Sequence, residues 1–198
     1  MKSHSWQKCV LAVVLMVSLI TTGCSAQWLA VALNDLPVLT EMALNIASLV
    51  TALQSGQQLN PAEATAIQNI STEASRDLNL LQMLYNEYKA NPNALTMQKI
   101  QDVIITINQN LPALLQAAHI GNAALSSRVT AAVNLILATV NSFAALIPPS
   151  ASVTSQHISM AKITVPNAKE LKKQWNQQVC APTGNAALDA AFAGCPIR

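Results

Sequence analysis

The chain has 198 residues, 52 % of them apolar, 10 % charged and 4 % aromatic, with a net charge of +2. That is enough chain for one sizeable core, too apolar for an intrinsically disordered protein, and less charged than the roughly 25 % of an average globular protein. Two of the eleven basic residues, Lys2 and Lys8, lie near the start, so beyond residue 23 nine basic residues face nine acidic ones and nothing steers the chain towards nucleic acid or another polyanion.

Lys2 and Lys8 precede an apolar run of eleven, Val10 to Ile20, broken only by Ser18. A run of that length fits the core of an export signal and is short for a membrane-spanning helix, which needs about 20 residues. Thr21-Thr22-Gly23-Cys24 follows. Here the chain resembles the bacterial lipoprotein class, whose cleavage box ends in a small residue, then Gly, Ala or Ser, then Cys. Thr22, Gly23 and Cys24 match, while Thr21 stands where Leu is usual. The resemblance implies diacylglycerol on the Cys24 sulfur, cleavage before Cys24 and acylation of the new amine. Two or three acyl chains anchor a protein stably where one does not. Ser25 is not Asp, which by the sorting rule of enterobacteria-like cells favours the outer membrane. Ordinary secretory cleavage after Ala26 and an uncleaved anchor are the alternatives. The signal is thus assigned to residues 1–23, and a lipidated tether to 24–35.

Of the four cysteines, Cys9 leaves with the signal and Cys24 carries the lipid. Cys180 and Cys195 remain, an even pair for an oxidising compartment. A disulfide between them is expected, as a structural staple contributing roughly 3 kcal/mol for a loop of this length. The spacing is not the Cys-x-x-Cys of a redox pair.

Four helical stripes follow. In the first, from about Trp28 to Gln54, Leu36, Leu39, Ala43, Ile46, Val50 and Leu53 recur at threes and fours. Pro37 either kinks this helix or marks its first turn, with Asp35 near the cap. Asn60, Pro61 and Glu63 fit a capping box opening the second, with Ile67, Ile70, Ala74, Leu78, Leu81, Leu84, Tyr85 and Tyr88 as its stripe. Asn91-Pro92-Asn93 breaks it. The third begins near Leu95 or Thr96 and buries Ile100, Val103, Ile104, Ile107, Leu111, Leu114, Leu115 and Ala118. A kink is expected at Pro112. His119-Ile120-Gly121 ends it, with Gly121 expected as a left-handed cap. The fourth, from about Asn122, carries Leu125, Val129, Ala132, Val133, Ile136, Val140, Phe143 and Ile147, and Pro148-Pro149 stops it. Short connections make neighbours antiparallel. The expected fold is all-α: an up-down bundle of about four long helices over 36–147, an extended linker over 148–166, and a short disulfide-stapled helical tail over 167–198. In that tail Asn167 and Glu170 suit a cap, Leu171, Trp175 and Val179 form an apolar edge, and a further turn or two runs from Asn185 to Ala193.

Candidate chemistry is sparse. His119 and His157, the two histidines beyond the signal, have no second ligand at metal spacing, so no metal and no cofactor are expected. Glu73, Arg76 and Asp77 read as a solvated surface cluster. Lys162, Lys169, Lys172 and Lys173 read as a solvated helix face that could touch anionic lipid headgroups. Trp28 suits either the membrane interface or the core. No Asp, Glu, Lys or Arg occurs from Val129 to Ala161. That stretch suits a bundle core best, with an oligomer face or membrane insertion as the other readings. The expected function is a non-enzymatic envelope lipoprotein, membrane-anchored through Cys24, with a structural or protein-binding role, a protein partner or a second copy of itself, and no nucleic-acid partner. The alternatives are a carrier or sensor of an apolar small molecule, and a membrane-active pore-forming or lysis protein.

Overall fold

The computed structural model describes residues 28–51, 53, 59–147 and 166–198. The expected signal segment, Cys24 and almost all of the expected 148–166 linker lie outside them. Four long helices pack side by side: α1 (Trp28–Thr51), α2 (Pro61–Ala90), α3 (Ala94–Ala117) and α4 (Ala123–Leu146). Two short ones follow, α5 (Ala168–Gln178) and α6 (Ala186–Ala191), then a 3-10 turn at Phe192–Gly194.

Capping decides where these helices begin. Asn60, Asn93, Asn122, Asn167 and Asn185 each stand in extended conformation at an N-cap, with the side-chain oxygen accepting from a first-turn amide. That satisfies one of the donors a helix start leaves open. At α2 the box is complete: Glu63 N donates to Asn60 Oδ1 at 2.8 Å and Asn60 N to Glu63 Oε2 at 3.4 Å. The second carboxylate oxygen of Glu63 accepts from the Gly121 amide at 2.6 Å. One side chain therefore caps α2 and ties the α3–α4 connection to the same end of the bundle.

The helices alternate in direction. Ser71 of α2 donates to the Ala43 carbonyl of α1 at 2.6 Å, while the Trp28 ring meets Tyr85 edge-on with centroids 5.6 Å apart. Rising residue numbers in α1 thus pair with falling ones in α2. Thr96–Glu87 at 2.7 Å and Asn110–Glu73 at 3.0 Å set the same antiparallel register between α2 and α3. Asn108–Asn141 at 2.8 Å joins α3 to α4. The core lies along the expected stripes: Leu36, Leu39, Ile46, Ile67, Ile70, Leu78, Leu81, Ile107, Leu111, Val133, Ile136 and Phe143 are buried.

Three expectations are corrected. The α1 helix runs through Pro37 and starts at Trp28; Trp28, Leu29, Ala32 and Asp35 are buried. Residues 28–35 therefore belong to the bundle and not to a tether, because Trp28 fills a core position against Tyr85. The left-handed residue after α3 is His119, at φ 46°, and not Gly121. The helix ends at Ala117 with Ala118 still right-handed, so the reversal falls on the next residue, where the His119 ring Nδ1–H can donate to the Ala117 carbonyl at 2.8 Å. Gly121 serves close approach instead, since a Cβ there would stand 3.1 Å from Glu63 Oε1. Asp77, expected in a solvated cluster, is buried. At Pro112 the α3 helix continues to Ala117.

Candidate functional site

Polar side chains inside an apolar bundle carry most of its chemistry, because each must find a partner or be left at a cost of about 1–3 kcal/mol. Arg128, Asp35 and Asp77 are the buried charged residues among those described.

Arg128 leaves α4 one turn after its start and reaches the tail. Its Nη1 donates to the Val179 carbonyl at 3.0 Å, and its Nη2 to the Ala181 carbonyl. Both oxygens lie just past the end of α5, where a cation also complements the helix dipole. The guanidinium lies 3.9 Å over the Phe192 ring and 3.6 Å from Asp189. Burial pulls its pKa down, and the Asp189 charge opposes that. Asp189 in turn closes the turn before α6, accepting from Thr183 N and Oγ1 at 2.7 Å and from Gly184 N at 3.0 Å. These bonds, the Thr183 amide first, hold its carboxyl below the usual range. Gly184 sits at φ 81°, a backbone state that suits glycine.

Around this clasp the tail folds onto α5. Cys180 and Cys195 are joined, with Cα atoms 5.6 Å apart. Trp175 Nε1 donates to the Cys195 carbonyl at 3.0 Å, and Asn176 and Ile197 exchange two bonds at 2.9 and 3.1 Å. Trp175, Leu171 and Val179 are buried, as the expected apolar edge requires. Of the lysine cluster, Lys172 donates to the Arg198 carbonyl and Lys173 lies 3.7 Å from Glu170. Lys162 lies outside the described residues.

At its other end α5 starts beside α1. The Ala168 amide donates to the Asp35 carboxylate, and Asp35 Oδ2 has no partner among the described residues. Burial outweighs that single bond and raises the Asp35 pKa to about 6. α5 therefore spans from Asp35 on α1 to Arg128 on α4, meeting an acidic side chain at its N-terminus and a basic one at its C-terminus. Both match the helix dipole.

Asp77 overturns the expectation of a solvated cluster. It is 3 % exposed; Arg76 grips only Oδ1, at 3.0 and 3.1 Å, and Oδ2 has no partner among the described residues. Burial raises its pKa, and the Arg76 hydrogen bond opposes the rise. Glu73 and Arg76 do pair, and Glu73 also accepts from Asn110 across to α3. The reason lies in the spacing: Asp77 stands three after Ala74 and four before Leu81, on the buried stripe itself.

Among the described residues no group of three or more His, Cys, Asp or Glu side chains is placed to hold a metal ion. Two helices, α1 and α4, have the length and composition to cross a membrane. Here both contribute core residues to the bundle. No protein-family model, no curated protein and no solved structure matches this chain.

Proposed function

We propose that this chain is an exported lipoprotein of the cell envelope, anchored through Cys24, whose helical bundle serves as a structural or protein-binding element without catalysis. One observation carries the reading: an apolar run of eleven, preceded by two lysines, is followed by Thr-Thr-Gly-Cys, ending at Cys24. The Cys180–Cys195 bond supports it, since such bonds persist in oxidising compartments. The buried charges support a structural role. Arg128 and Asp35 tie helices together, and Glu73 beside Asp77 reaches across to α3. Ser25 after the anchor favours the outer membrane.

Processing tests the reading. Cells treated with globomycin, which blocks the lipoprotein signal peptidase, should accumulate a larger, membrane-bound precursor. Maturation that ignores the inhibitor sinks the proposal. For the role, mild crosslinking of the anchored protein should recover a discrete partner or a second copy of the chain. A deletion that leaves the envelope unchanged, with nothing crosslinked, argues against a structural or binding role.

A further inference from the structure

We infer that the α2–α3 end of the bundle is a membrane-facing surface that rests on the lipid headgroups, with the bundle standing upright on it. The inference rests on the Cys24 anchor proposed above. Three residues separate Cys24 from Trp28, so the two Cα atoms lie at most about 14 Å apart whatever path the chain takes. Trp28 opens α1, and its position along the bundle is fixed: its ring centroid is 5.6 Å from that of Tyr85 and 6.1 Å from that of Tyr88. Both tyrosines lie in the last two turns of α2. The Thr96–Glu87 hydrogen bond places the start of α3 at the same height. A lipid on Cys24 therefore brings this end, and not the one holding Glu63 and Gly121, to the bilayer. The other end is a full helix length away, about 36 Å for the 24 residues of α3.

The surface presented there suits headgroups. Leu95, on the first turn of α3, is 63 % exposed, and Met83, about two turns before the end of α2, is 67 % exposed. Lys89 is exposed in the last turn of α2, and the turn between the helices, Asn91-Pro92-Asn93, is uncharged. Trp28 and Tyr88 stand behind them, the residue types that gather at membrane–water boundaries. An apolar tip, a cation and an aromatic backing are what an interfacial contact uses. By contrast, the end made by Glu63, Gly121 and Asn122 is closed by its own hydrogen bonds.

Three exposed positions at rising height along α3 test this on the full-length acylated protein: Leu95→Cys, Ile105→Cys and Gln116→Cys, each labelled with a small fluorophore. The protein is reconstituted in vesicles of phosphatidylethanolamine and phosphatidylglycerol carrying a headgroup nitroxide quencher. Quenching should be several-fold stronger at 95 than at 116, with 105 between. Equal quenching at all three, or a reversed order, in protein whose mass shows the acyl groups overturns the upright placement and leaves the anchor standing. A mass without acyl groups removes the anchor and this inference together.

Discussion

Helices α1 to α4 meet through Leu, Ile, Val and Ala at threes and fours, with a few polar links between neighbours. Residues 166–198 follow another rule. They reach the bundle through α5, whose ends meet Asp35 and Arg128, and are closed on themselves by a disulfide and by side-chain bonds to backbone carbonyls. A stripe of interchangeable aliphatic side chains tolerates small shifts, since burial is non-directional. A clasp of directed hydrogen bonds does not, because a carbonyl that loses its donor stays buried and unmet. The bundle should therefore lose stability in proportion to volume removed, whereas the tail should come away as a unit.

The largest effect is expected in the core. Leu78→Ala removes a fully buried side chain on the α2 stripe and should cost about 2–5 kcal/mol, read as a lowered midpoint in denaturant melts followed by circular dichroism. Cys180→Ser with Cys195→Ser should cost roughly 3 kcal/mol on the chain-entropy account, with the loss concentrated in the tail. Hydrogen exchange should then speed up over 171–198 while the α2 and α3 amides keep their protection. Uniform loss across both regions would erase the contrast. Arg128→Ala strands the Val179 and Ala181 carbonyls and should cost about 1–3 kcal/mol, loosening the same segment with the disulfide intact.

The smallest effect is confined to a narrow pH window. Asp35 titrates near 6 in the folded chain against 3.8 for the free group, because burial disfavours its charge. Between those values the folded state holds a proton that the unfolded state has released. Stability thus rises as the pH falls from about 6 towards 3.8, and is lost as it climbs back. Asp35→Asn should flatten that slope in melts across the window. A slope that survives the substitution would assign the proton elsewhere, Asp77 being the other buried carboxyl raised in the same direction.

The bundle was legible in the sequence because one signal, apolar residues at helical spacing, dominates it. Every stripe position from Leu36 to Leu53, and from Ile67 to Tyr85, is buried. The caps at Asn60 and Asn167 were legible too, since their geometry is local, whereas Asn93, read as part of a break, caps a helix that starts at Ala94. The buried charges were harder. Asp35, Asp77 and Arg128 each fall on a stripe: three after Ala32, three after Ala74 and three after Leu125. The spacing was there to be read, but charge suggests solvent, and only tertiary contacts show what meets each group. His119 hid for a related reason: the chain reverses where the helix ends, and a glycine two residues on drew the assignment. The tail's clasp combines residues 128, 175, 189 and 195, brought together from three helices and a turn, and no local pattern announces it.

The account stands most directly on the intact mass of the protein isolated from its native membrane. It predicts a chain starting at Cys24, heavier than its sequence by a diacylglycerol and a fatty acyl group, and two mass units lighter than fully reduced for the Cys180–Cys195 bond. An unmodified chain starting at Met1, or a lipid-free one starting at Gln27, would contradict it.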